Sequence, residues 1–198
     1  MTPNPARRSE RSRIAILAAA LELVREVGYG KLTVEAIAAR AGVGKQTIYR
    51  WWPSKAAVIF DAFLQHNQTP AAGEVVLPDT GDFAADMRLV LHATVAEFND
   101  PTFASAYRAL NTDVQDDPEL AEQMLARVLK PTLEAVGERF RAAQRAGQIA
   151  GGVDLEVAVE ALFGPIYYRW LLRTAPLTTG YADAVLEQLL RGWQAYRP

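Results

Sequence analysis

Along most of the chain apolar residues recur every three or four positions, the repeat of one helix face, while the strict alternation that strands need is scarce. Ile14, Leu17, Ala18, Leu21 and Val24 predict a first helix from about Ser12 to Val27, with Ser12 as its N-cap and Gly28 as its stop. Thr33 caps a short second helix through Arg40, and Gly42 stops it. A third helix begins near Lys45 and ends before Pro53, because the residue preceding a proline avoids helical geometry. Ser54 caps a fourth, to about Gln65. Residues 67–81 are rich in Pro, Gly and Thr and mark a boundary. Beyond it Phe83, Met87, Val90, Leu91, Thr94 and Phe98 define one amphipathic helix, Asp100-Pro101 opens a shorter one and Asp117-Pro118 a longer one. Pro131 and the pair Gly164-Pro165 each predict a kink, Asp154 caps the helix that holds the second, and the last helix runs from about Thr179 to Tyr196. The pattern is all-α, in two parts: residues 1–66, of which 1–11 form a flexible arm, and residues 67–198.

Residues 33–52, TVEAIAARAGVGKQTIYRWW, have the spacing of a helix-turn-helix. Ile37, Ala41, Val43 and Ile48 supply apolar contacts between two short helices, and Ala38 is small where they approach. Gly42 stands in the turn, where a left-handed backbone costs glycine little. With the inward positions removed, Lys45, Gln46, Thr47, Tyr49 and Arg50 remain as a basic, aromatic and hydrogen-bonding face suited to a major groove. The charge distribution points the same way. The net charge of -2 conceals ten basic and four acidic residues in positions 1–55, a balance of +6, against -8 for the remainder. One end suits a polyanion and the other repels it.

Other features exclude chemistry. Half of the residues are apolar, enough for a substantial core, and the absence of cysteine removes disulfides, thiolate metal sites and cysteine nucleophiles. His66 and His92 lie far apart without ligand-spaced partners, so neither a metal nor another cofactor is expected. The acidic clusters Asp116-Asp117-Glu119 and Asp82-Asp86 read as helix caps and solvated faces. No phosphate-cradling glycine loop, nucleophile elbow or Glu-x-x-His pair is present, which argues against an enzyme. Glu22 interrupts the apolar run Ile14–Val24, so neither a secretory signal nor a membrane span is expected; a soluble cytoplasmic protein is.

The stretches ILAAALELVREVGYGKLTVEAIAARAGVG and KQTIYRWWPSK resemble the N-terminal signature of the TetR family of bacterial regulators, with helix caps, turn glycine and the aromatic end of the reading helix in register. The resemblance implies a helix-turn-helix DNA-binding domain followed by a helical ligand-binding and dimerisation domain. In similar proteins the positions of Thr33, Lys45, Thr47, Tyr49 and Lys55 mainly hold phosphates, and those of Gln46 and Arg50 are among the ones that reach bases. Gly44 departs from the serine that commonly opens the reading helix, and Trp51-Trp52 departs from the usual polar residue or His followed by Phe. Trp52 reads as core; Trp51 divides between packing and an indole N–H given to phosphate.

Residues 147–193 are similar, more weakly, to the C-terminal half of one TetR subgroup, through Gly164-Pro165-Ile166, the Tyr-Arg-Trp run and Pro176-Leu177. The partners implied are double-stranded operator DNA, a second copy of the chain and a small-molecule effector. Ala182, Val185, Leu186, Leu189, Leu190 and Trp193 recur on one broad face of the last helix and are the expected dimer contacts, with packing inside the monomer as the alternative. Met87, Leu91, Phe98, Phe103, Tyr107, Phe140 and Tyr167 are the expected walls of a mainly apolar effector pocket. An architectural DNA-binding protein without an effector is the other functional class open at this point.

Overall fold

The computed structural model describes residues 5–67 and 77–195, and every regular element among them is helical. They are α1 (Pro5–Val27), α2 (Val34–Ala41), α3 (Lys45–Tyr49), α4 (Lys55–Asn67), α5 (Phe83–Asn99), α6 (Pro101–Asp113), α7 (Pro118–Met124), α8 (Lys130–Arg145), α9 (Leu155–Leu172) and α10 (Thr179–Ala195). A 3-10 turn, Tyr29–Lys31, follows α1. The chain forms two compact units, one of residues 1–72 with 100–125 and one of residues 73–99 with 126–198, so it passes between them three times.

The first unit packs α1 against α2, α4 and α6, and α4 against α6. Its buried side chains include Ile16, Leu17, Ala20 and Val24 from α1, Ile37 from α2, Ile48 from α3 and Val58, Ile59 and Phe60 from α4. Two sequence expectations for α1 need correction. The helix begins at Pro5 and not near Ser12, so residues 5–11 are helical; a proline in the first turn loses no hydrogen bond there, and residues 1–4 of the expected arm lie outside the described residues. The buried stripe is Ile16, Leu17, Ala20, Leu23 and Val24, whereas Ile14 and Ala18 are exposed. In a run as apolar as IAILAAALELV two adjacent stripes fit the helical repeat, and Glu22 and Glu26, which reach Arg40 of α2 at 3.3 and 2.8 Å, select the outer face.

The second unit packs α10 against α5 and α9, and α8 against α9 and α5. Phe83, Phe140 and Trp193 form an aromatic centre, with ring separations of 4.8 Å for Phe83–Phe140 and 5.5 Å for Phe140–Trp193. Beside it lies the main departure from the sequence reading. Asp82 does cap α5, accepting from the Ala85 N–H, but Asp86 is fully buried and paired with buried Arg139 of α8, at 2.9 Å to Nε and 2.7 Å to Nη2. The Thr80 hydroxyl and N–H also donate to Asp86, at 2.7 and 3.1 Å. Burial pushes the carboxyl up, but the Thr80 hydroxyl, the Arg139 guanidinium and the Thr80 N–H outweigh it and hold the group below the usual carboxylate range.

At Pro131 the chain makes a π-helical turn, Leu125–Leu129, immediately before α8. A proline cannot donate to the carbonyl four residues back, and a widened turn accommodates that loss. Pro165 instead lies inside α9, which is helical throughout, and Arg173 ends that helix in the left-handed conformation. No helix among the described residues is long and apolar enough to cross a membrane.

Candidate nucleic-acid interface

The interface is built from local signals that agree. The Thr33 side chain accepts from the Ala36 N–H at 3.1 Å and so starts α2. Gly42 ends it with φ 67° and ψ 32°, and the Val43 N–H returns to the Ala38 carbonyl at 2.9 Å, closing the turn in a glycine C-cap. Gly44 starts α3 with extended backbone and no side-chain bond, consistent with its departure from serine. Ile37, Ala38 and Ile48 are buried, and Ala41 and Val43 half-buried, which locks α3 onto α2.

This packing decides what α3 shows. Lys45, Gln46, Tyr49 and Arg50 are exposed and Thr47 is half-buried, so the face expected from the sequence is present on a single short helix. Thr33 is also exposed at the start of α2. Lys45 makes one exposed ion pair, 3.4 Å from Glu35, of the kind that contributes little and exchanges readily. The two tryptophans have separate roles. Trp52 is buried and donates its indole N–H to Asp61 of α4 at 2.9 Å, fixing the end of the reading helix to the next one. Trp51 packs edge-on against Trp52 at 5.4 Å and carries the Arg50 guanidinium 5.2 Å from its ring centre. Arg50 is thereby held toward one direction before any ligand arrives. Sequence reasoning found the exposed face but not this support, because Asp61 reads as an ordinary helix-surface acid.

Lys55 differs from the others. Its ammonium donates to the carbonyls of Tyr29, at 3.1 Å, and Leu32, at 3.4 Å, and lies 4.1 Å from the centre of the Tyr29 ring.

The remaining expected site residues fall into separate groups. Phe103 and Tyr107 are buried in the first unit, where both rings meet Phe63 of α4, at 5.2 and 5.4 Å. Met87, Leu91 and Phe140 are buried in the second unit, and Phe98 and Tyr167 are half-buried there at a ring separation of 6.3 Å, with Trp170 stacked on Phe98 at 4.5 Å. Ala182, Leu186 and Trp193 of α10 are buried within the second unit, while Val185, Leu189 and Leu190 are half-buried.

Comparison with known proteins agrees with this arrangement. Residues 16–62 match the family described as bacterial regulatory proteins, tetR family, and residues 77–189 match the tetracyclin repressor-like C-terminal domain. The HTH-type transcriptional regulator YdeS of Bacillus subtilis is 36% identical over 95% of this chain and 92% of its own. A crystal structure of the TetR family transcription regulator SCO0332 superposes with a TM-score of 0.68 at 31% identity, covering 94% of this chain and 99% of that one. The transcriptional regulator FadR of Bacillus subtilis, solved in complex with stearoyl-CoA, shares the fold, with a TM-score of 0.65 at 23% identity over 90% of this chain and 98% of that one. On the helix-turn-helix and on both matched segments, the chain belongs to the TetR family of bacterial transcriptional regulators.

Proposed function

We propose that the protein is a repressor that binds a palindromic or near-palindromic operator as a homodimer and is released by a small, mainly apolar ligand. The observation that carries this reading is the exposed face of α3, with Lys45, Thr47 and Tyr49 for phosphates, Thr33 beside them, and Gln46 and Arg50 for base edges. It acts by binding, without turnover, in the compartment that holds the DNA. Titration of the purified protein against selected duplexes over a range of salt tests it; binding no better than to random DNA would overturn it.

The dimer reading rests on α9. Its buried stripe is Ala158, Leu162, Ile166 and Trp170, yet the opposite side is also apolar: Val157, Tyr168, Leu171 and Leu172 are exposed, with Ala161 and exposed Gly164 between them. A helix with apolar stripes on two opposite sides requires burial on both, and small residues at the centre of the second stripe let a like helix approach closely. A second copy of the same face meets both conditions across a two-fold axis. Because Val157 and Tyr168 are exposed, the double substitution Val157→Asp with Tyr168→Asp should leave the protomer folded and block its pairing. Light scattering is expected to give a dimer for the wild type and a monomer for the double variant; a wild-type monomer at micromolar concentration would contradict the claim.

For the effector, the aromatic group Phe98, Tyr167 and Trp170, with Met87 and Leu91, supports an apolar ligand positioned by a phenol. Burial pushes the Tyr167 hydroxyl above its usual range, which keeps it a donor at neutral pH. That FadR of the same fold was solved with stearoyl-CoA supports the apolar class. A thermal-shift screen of acyl and aromatic compounds should yield hits that also weaken DNA binding, a tenfold change corresponding to about 1.4 kcal/mol of coupling. Hits that stabilise the protein without changing its DNA affinity would overturn the release mechanism.

A further inference from the structure

Three side chains of the first unit, distant in sequence, meet beside the start of α4. The Tyr29 hydroxyl donates to the carboxylate of Asp113, the last residue of α6. Lys55, the first residue of α4, lies over the Tyr29 ring and spends two N–H donors on the carbonyls of Tyr29 and Leu32. Leu32 immediately precedes Thr33, the cap of α2, so the ammonium holds the entry of the helix-turn-helix. The cleft that these residues share, about 350 Å³ in volume, is also lined by Asp116 and Asp117. A DNA phosphate reaching Lys55 there finds two of its three N–H donors engaged by carbonyls and the Tyr29 ring against it, and it meets carboxylates besides.

We propose that Tyr29, Lys55 and Asp113 are positioning residues for DNA recognition: they fasten the entry of α2, and with it the reading helix, to α6, and Lys55 is an internal cation instead of a phosphate ligand. The proposal rests on the DNA-binding reading above. Its mechanical sense follows from the chain path. The segment 100–125, which holds α6, is joined to the second unit at both ends, so α6 lies on two of the three covalent links between the units and offers a route from the second unit to the reading head. Breaking the Tyr29–Asp113 bond leaves α3 and its exposed face intact but loosens that route. Burial and the Asp113 contact push the Tyr29 phenol above its ordinary range, so it remains a donor throughout the neutral range.

The test uses the full chain and two duplexes: the one recovered from a random pool by the wild-type protein, and the same duplex with one half-site scrambled. Tyr29→Phe keeps the ring under Lys55, and Asp113→Asn keeps the shape of the acceptor. Each is expected to lower affinity for the full duplex about tenfold, to leave half-site affinity within about twofold, and to add little when combined. Lys55→Gln, or Lys55→Met should the first not fold, is expected to leave the slope of affinity against salt unchanged, while Lys45→Ala lowers it by about one per contact. A smaller salt slope for the Lys55 variant makes that residue a phosphate ligand and overturns its part. Equal losses on full and half-site duplexes, or no loss on either, overturn the positioning role. Selection of no duplex by the wild-type protein removes the DNA-binding reading, and the triad's role with it.

Discussion

Replacing Asp86 with alanine is expected to remove about 3–5 kcal/mol of stability, a large part of the ~5–15 kcal/mol that holds a typical domain folded. The carboxylate is fully buried and accepts from Thr80 and Arg139, so its removal leaves a buried guanidinium without its counter-charge. Asp79, the other acid within reach of Arg139, at 3.4 Å, is largely exposed and compensates little. Denaturant unfolding of the purified variant measures the loss. Replacing both members, Asp86→Leu with Arg139→Met, is expected to recover most of it, since a well-packed apolar pair avoids the desolvation cost. Loss below 1 kcal/mol for the single variant would mean that water reaches the pair. The pH dependence has a defined sign. With the folded carboxyl below its ordinary range, the contribution of Asp86 is fully present above the unfolded value of about 3.9 and disappears as pH falls through the lowered folded value. Asp86→Asn should therefore show a flatter acid limb than the wild type.

The second large effect is expected at the reading helix. Arg50→Ala removes a guanidinium that lies against Trp51, and the base contact proposed for it is of a kind worth about 1–3 kcal/mol. The proposed dimer would make it twice, so affinity for the selected duplex should fall by at least about 30-fold while the fold is unchanged, Arg50 being exposed. Tyr49→Ala should also weaken binding, through the loss of a half-exposed aromatic at the groove edge, whereas Gln46→Ala should change base preference more than affinity. Electrophoretic titration of the three variants distinguishes these outcomes. Silent substitutions at both Arg50 and Tyr49 would mean that α3 is not the reading element.

What the sequence discloses, and what it hides, follows the range of each interaction. Caps at Thr33, Ser54, Asp100, Asp117 and Asp154 bond to N–H groups two or three residues on, so their chemistry is written beside the helices they start. The face of α3 is legible for the same reason: the buried Ile48 and the left-handed Gly42 orient it within a few residues. Pairings between distant positions leave no such local mark. Asp86 and Arg139 are 53 residues apart, and Tyr29 and Asp113 are 84 apart; each alone resembles a surface residue. The apolar stripe of α10 shows the remaining ambiguity. The repeat of Ala182, Leu186 and Trp193 is expected from the sequence as dimer contacts, with a monomer core as the alternative, and the packing of Trp193 on Phe83 and Phe140 turns it inward. On α9 the opposite happened: apolar residues on both sides gave no periodic signal, and the uncovered stripe became visible only once the buried one was known.

The central claim, that α3 reads a two-fold operator, is tested most directly by selecting duplexes from a random pool with the purified wild-type protein and footprinting the winner. The account predicts one protected, near-palindromic site whose half-site centres lie about 34 Å apart or a multiple of it, with protection lost for Arg50→Ala. Recovery of no sequence better than random DNA, or protection that survives Arg50→Ala unchanged, would contradict it.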